Sequence, residues 1–381
     1  MKLCAISCRL QQLPVVVRET DGISVETGDH RHRKDKVVVV MGATGTGKSR
    51  LAVDLAKKFH AEVINADKMQ VYDGLDVVTN KMTVQEQCGV PHHLLGGVDP
   101  EAEFSAANFR ALASASIDGI IRRGRLPIVA GGSNSYIKAL VSDETSLFRL
   151  QYDCCFLWVD VSLPVLHKFV SDRVDRMVRA GLVEEVRGVF QPKADYTLGL
   201  RKSIGVPELD QFLRAESCGA DAQTLAALLE VAIDQIKANT RKLTHNQLRK
   251  IHMLRDIHGW NLHRLDATGA VESSGQVSRD DWERRVVGPS MSIVGRFLLR
   301  NIIMDGVSSS SSSSSSSFSG IAATAAMVAA AAAGVAKFRP SFHHTWRHRR
   351  QQRIGVLGQQ RTPYKCHHPR GKFYPLVPPL Q

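Results

Sequence analysis

Apolar and polar positions along the chain follow two rhythms. Short unbroken apolar runs occur at Val37-Val38-Val39-Val40-Met41, around Val63-Ile64 in Glu62–Asn65, at Pro127-Ile128-Val129-Ala130 and at Cys155-Phe156-Leu157-Trp158-Val159. Runs of this length without alternation predict strands buried on both faces, as in a parallel sheet. Between the first two, Leu51, Ala52, Leu55, Ala56 and Phe59 recur at helical spacing, which predicts an amphipathic helix. Strand and helix in alternation predict an α/β fold with a central parallel sheet and helices on both faces, which the loop after the first strand makes P-loop NTPase-like. A smaller helical part, within about 160–235, is expected to close over the cleft.

The link between the first strand and first helix reads Gly42-Ala43-Thr44-Gly45-Thr46-Gly47-Lys48-Ser49. Glycines let successive backbone N–H groups turn inward on a phosphate chain, Lys48 adds a point charge, and the Ser49 hydroxyl suits a magnesium ion. A di- or triphosphate ligand follows, but kinases, switch GTPases, ATPases and some transferases all use such a loop. Asn80-Lys81-Met82-Thr83 lacks the aspartate of a guanine-reading motif, and Asp160 is followed by Val161-Ser162 rather than by the acidic or glycine continuation of an ATPase strand. Both classes lose weight. Asp67 lies just past the second strand, at the carboxyl edge where open parallel sheets bind ligands. A carboxylate there ligates magnesium or accepts a proton; the plainer reading is a cap on the next turn.

Further blocks extend the pattern. Asn65-Ala66-Asp67-Lys68-Met69-Gln70-Val71-Tyr72, Thr79-Asn80-Lys81, Gly89-Val90-Pro91-His92-His93, Arg123 to Ser135, Arg173-Val174-Asp175-Arg176-Met177 and Arg201-Lys202-Ser203-Ile204-Gly205-Val206-Pro207-Glu208 follow the loop in order. Together they resemble the isopentenyltransferase family over about residues 37–295. The wording is most similar to the plant adenylate branch that makes cytokinins, including the late block Trp260 to Thr268.

That resemblance implies transfer of a dimethylallyl group from dimethylallyl diphosphate to the exocyclic amine of adenine in AMP, ADP or ATP, with magnesium (Mg2+) as cofactor. The loop then holds the leaving diphosphate, and Asp67 is the acceptor of the amine proton. Thr44 and Ser49 match hydroxyl donors to diphosphate and magnesium, and Arg173 matches an arginine over the phosphates. Ser133 and Asn134 fall at the same sheet edge as Asp67 and are expected to contact substrate. Lys202, Lys237 and Arg241 are placed at the acceptor phosphates, each against the alternative of an ordinary surface cation. His92-His93 lacks helical metal-ligand spacing and is read as structural.

Two departures stand out. The segment between Leu140 and Tyr152 is shorter than in plant relatives, and Asn246 stands where a basic residue usually precedes Gln247, which weakens a phosphate role for that helix. The rival branch performs the same chemistry on a tRNA anticodon loop. Residues 132–204 are few for the helical insert that grips RNA, and the paired Cys and His finger of its eukaryotic members is missing. Net charge is +13, yet ten of the excess positive charges lie in 306–381, leaving three for all that precedes. The core is not a polybasic RNA face. A small-molecule kinase, with ATP itself in the loop, is the alternative in another class.

Residues 1–36 open without acids as far as Arg18 and then become charged. They read as an extension with weak organelle-targeting character; plastid is placed first, with cytoplasm or mitochondrion as alternatives. The seven cysteines show no paired spacing, which points to a reducing interior. Residues 296–381 are read as a solvated tail: a run Ser308–Ser317, an alanine-rich stretch to Ala336 and a basic remainder. The uncharged stretch 307–336 is long enough to span a membrane, but serine and alanine supply little insertion energy, and no membrane is expected.

Overall fold

The computed structural model describes residues 34–142, 148–272 and 279–308. The expected targeting segment, most of the tail and the centre of the short 140–152 loop lie outside these residues.

The chain alternates from its first element. Strand β1 (Asp35–Met41) leads into α1 (Lys48–Phe59), β2 (Ala61–Asn65), the short α2 (Val84–Gln87), β3 (His92–His93), α3 (Ala106–Arg122) and β4 (Leu126–Gly131). Helices α4 (Asn134–Ser142) and α5 (Phe148–Gln151) precede β5 (Tyr152–Asp160). A helical stretch follows, with α6 (Leu163–Arg179), α7 (Leu182–Val189), α8 (Asp210–Ser217) and the 35-residue α9 (Ala222–Asp256). Strand β6 (Leu262–Asp266), α10 (Thr268–Glu272), α11 (Arg279–Trp282), a π-helical turn Glu283–Val287 and α12 (Gly288–Ser308) complete it.

All six strands are parallel, in the order β3-β2-β4-β1-β5-β6. Strand β1 is central, pairing Val38 with Ile128 on one side and with Cys155 on the other. Its residues Val37 to Met41 are fully buried, which is why the run shows no alternation. Val37, Val39 and Met41 pack on one face with Phe109, Ile117 and Ile137. Val38 and Val40 pack on the other with Leu51, Leu55 and Val170. Each such valine is worth about 1.5–3 kcal/mol of burial, so the central strand is held from both sides.

The helical region reaches further than expected, because α9 continues to Asp256. Its buried positions Ala232, Ile236, Thr240, Thr244, Gln247, Ile251 and Leu254 step by three and four residues along one stripe. Helix α12 likewise crosses the boundary expected at 295. Val294 is buried, and Phe297 and Leu298 pack beside it on the second face, so the apolar spacing carries the fold past the point where composition shifts. No helix among the described residues is long and apolar enough to cross a membrane.

Candidate active site

The phosphate loop occupies the six residues between β1 and α1. Gly47 sits at φ 91°, a left-handed conformation that starts the helix and that glycine adopts without steric cost. A Cβ there would also lie 2.5 Å from the Trp282 ring. Trp282 is fully buried behind the loop, donates from Nε1 to Asp54 Oδ2 at 3.1 Å, and carries the Arg50 guanidinium 4.9 Å from its ring centre. The loop is therefore braced from below by a residue 235 positions further along the chain.

Lys48 is 9% exposed and folds back over the loop, where Nζ donates to the Ala43 carbonyl at 2.7 Å. The Thr46 hydroxyl donates to the same carbonyl at 2.9 Å. Burial pushes the Lys48 ammonium down to about 8; the Asp67 carboxylate opposes this, and Arg173 adds to it. Arg173 reaches in from α6 and donates to the Thr44 hydroxyl at 3.0 Å, while its Nε is buried without a partner. Burial, reinforced by Arg176 and opposed by Asp67, lowers Arg173 to about 10, still a full charge at neutral pH. Two desolvated cations and one carboxylate thus share one small volume. An anion with several oxygens would satisfy both cations and the orphaned Nε.

Asp67 is placed by a second turn, Gly131-Gly132-Ser133 at the end of β4. Ala66 N–H donates to Ala130 O at 2.8 Å, Ser133 N–H to Ala66 O at 3.1 Å, and Lys68 N–H to Ser133 Oγ at 2.8 Å. The approach is so close that a Cβ on Gly131 would lie 2.1 Å from the Ala66 carbonyl oxygen. Asp67 Oδ1 accepts from Met69 N–H at 3.0 Å, so the turn-capping reading holds for one oxygen. Its Oδ2 has no protein donor among the described residues and is available to a ligand.

Helix α9 closes the arrangement through Gln247. Its Oε1 accepts from Thr44 N–H at 2.8 Å, its Nε2 donates to Gly132 O at 3.0 Å, and its backbone carbonyl accepts from Asn134 Nδ2 at 3.0 Å. One amide side chain therefore joins the phosphate loop, the Asp67-positioning turn and the long helix.

Comparison with known proteins fits this geometry. A family model described as IPP transferase matches residues 70–149 and 142–252. Adenylate isopentenyltransferase 5, chloroplastic, of Arabidopsis thaliana is 56% identical over 268 residues, covering 70% of this chain and 81% of that one. The chain belongs to the IPP transferase family. Adenylate isopentenyltransferase 7, mitochondrial, of the same plant is 50% identical over 299 residues, 78% of this chain and 91% of that one. The Humulus lupulus adenylate isopentenyltransferase is 44% identical, covering 68% and 89%. Among solved structures, a eukaryotic dimethylallyltransferase acting on tRNA superposes with a TM-score of 0.59 at 25% identity, covering 70% of this chain and 80% of that one. The full-length tRNA isopentenylpyrophosphate transferase of Bacillus halodurans gives 0.55 at 25%, covering 71% and 100%.

The sequence-derived site residues of this IPP transferase divide into three groups. Gly42 to Ser49, Asp67 and Arg173 converge as described, and the exposed Ser49 hydroxyl has no hydrogen-bond partner among the described residues. Ser133 lies beside Asp67 but engages Lys68 N–H, and Asn134 is buried against α9; both position the site from within. Lys202 lies near Lys68, whose charge, after burial itself, lowers it. Lys237 pairs with Asp175 at 2.6 Å and Arg241 donates to Ser171 Oγ at 3.0 Å, both across to α6. His93 pairs with buried Glu62 at 2.7 Å, a structural role for the β3 edge. Gln247 and Trp282 escaped sequence reasoning. A polar residue inside the buried stripe of α9 is the signal that would have found Gln247; Trp282 left none beyond its size.

Proposed function

We propose that this chain transfers a dimethylallyl group from dimethylallyl diphosphate to the exocyclic amine of the adenine of AMP, ADP or ATP, releasing diphosphate. The observation that carries the reading is the pairing of a cation-lined phosphate loop with a carboxylate whose second oxygen is free. As the allylic carbon–oxygen bond breaks, its electron pair goes to the diphosphate, where Lys48, Arg173 and the loop amides stabilise the growing charge. The amine lone pair forms the new carbon–nitrogen bond, and Asp67 takes the amine proton. The exposed Ser49 hydroxyl is a hard oxygen donor that suits magnesium, which would supply further charge neutralisation on the diphosphate when bound. Lys68 and Lys202, two cations beside the Asp67 turn, suit the acceptor phosphates.

The relatives named chloroplastic and mitochondrial support an organelle, with the plastid first. Mass analysis of products from dimethylallyl diphosphate mixed with AMP, ADP, ATP or unmodified tRNA tests the assignment. A prenylated mononucleotide is expected; prenylated tRNA alone would transfer the chain to the tRNA branch.

A further inference from the structure

The opposite edge of the sheet holds a second feature. Strands β1 and β5 run together from the pair Asp35–Tyr152 to the pair Met41–Trp158, so the start of β5 lies about 20 Å from the phosphate loop at ~3.3 Å per residue. A cavity of about 540 Å³ opens there between the start of β5, the approach to β6 and α12. That volume falls in the range of small-molecule sites. Phe156, Ile293 and Phe297 supply apolar wall, and Arg149, Arg296 and Arg300 line it with charge.

The charges are unbalanced. Arg296 and Arg300 are one turn apart on α12, where like charges repel, and Arg149 faces the same space. Arg149 lies 5.3 Å over the Trp260 ring, but no described carboxylate pairs with any of the three arginines. Asp153, the one acid in the lining, is already engaged by Lys36 at 3.5 Å. Lys36, which that pair neutralises, lies 4.4 Å from the Phe297 ring centre, and Lys34 donates to the Arg149 carbonyl at 2.7 Å, which brings one further cation to Arg149. Guanidinium forks gathered around an apolar pocket match a phosphate group carried on an organic body.

We propose that this cavity is a second anion site, distinct from the phosphate loop, that takes a phosphate ester of about nucleotide size. It stands apart from the proposed reaction and from Lys48.

Titration calorimetry of the full chain with inorganic diphosphate separates the two sites. Two equivalents are expected for the parent protein, one for Lys48→Ala, one for Arg296→Ser/Arg300→Ser, and none for the triple variant. Both arginines are exposed, so the double variant should fold, and an unchanged thermal midpoint without ligand checks this. In the Lys48→Ala protein, phenyl phosphate should bind about tenfold more tightly than inorganic phosphate through burial of its ring, and that advantage should vanish in the triple variant. One equivalent in the parent that disappears with Lys48→Ala alone would overturn the proposal, as would two equivalents persisting in the double variant. Failure of the Lys48 reading has a different signature: Lys48→Ala would keep both equivalents while the arginine variant still lost one.

Discussion

Lys48 links the energetics of the empty site to those of the loaded one. Its ammonium is lowered to about 8 chiefly by burial, against about 10.5 in an unfolded chain. Below pH 8 both states hold the proton, and the folded protein bears the full cost of an ion out of water. Between 8 and 10.5 the unfolded chain holds more protons than the folded one, so this contribution to stability rises with pH. The gap corresponds to about 3 kcal/mol at neutral pH, an upper value because Lys48 also donates to Ala43. A bound diphosphate restores a counter-charge and returns the group toward its ordinary value. Binding at pH 8 should therefore take up about half a proton on Lys48, and affinity should fall by up to about tenfold per pH unit above 8. Calorimetry of inorganic diphosphate binding in buffers of different ionisation enthalpy, from pH 7 to 9.5, measures this uptake. Lys48→Arg, which keeps the cation on a group that does not titrate in this range, gives the uptake due to the anion itself, and Lys48→Met should melt higher than the parent at pH 7 in the absence of ligand. An uptake at pH 8 indistinguishable between parent and Lys48→Arg would refute the argument.

Three other outcomes follow from the same geometry. Asp67→Asn keeps the Met69 cap but loses the proton acceptor, so single-turnover chemistry at saturating substrates should fall about a hundred- to ten-thousand-fold; a loss under about threefold would remove Asp67 as the base. Trp282→Ala should cost about 3–5 kcal/mol in urea unfolding and raise the KM for the prenyl donor more than it lowers kcat, whereas Trp282→Phe should recover most of the KM. Equal KM in all three proteins would show that the brace under Gly47 is not used. Glu62, held below its ordinary value first by Arg123 and also by His93, stabilises the fold above the usual carboxylate range, and this stability is lost as pH falls through the lowered value. Glu62→Gln should cost about 1–3 kcal/mol at pH 7 and flatten the acid limb of stability below the ordinary carboxylate value; an unchanged acid limb would count against the pair.

What the sequence displayed was whatever depends on neighbours in the chain. The Val37–Met41 run, the loop that follows it and the helix at Leu51 to Phe59 form one local unit, and Asp67 is placed by its distance from β2. Gly131 is different: its place after a strand is legible, but the 2.1 Å clearance to Ala66 that demands a glycine exists only once β4 lies beside β2. Lys237 and Arg241, cations on a late helix, suit either substrate phosphate or an ordinary surface role in the sequence, and the fold gives each a partner on α6. Gln247 meets Thr44 across 203 positions and Trp282 meets Asp54 across 228. Contacts of that span leave no periodic trace.

The central position of β1 also sets the order of events during synthesis. The phosphate loop leaves the ribosome directly after β1, but β4 and β5, which flank β1, follow about 90 and 117 residues later. At about 5–20 residues per second this is a wait of several seconds to over twenty. For that interval the apolar run Val37–Met41 has no sheet to join, which makes it a ready target for a chaperone or for a neighbouring nascent chain. The hydrogen bond of Gln247 to the loop and the packing of Trp282 beneath Gly47 form only after those residues have emerged.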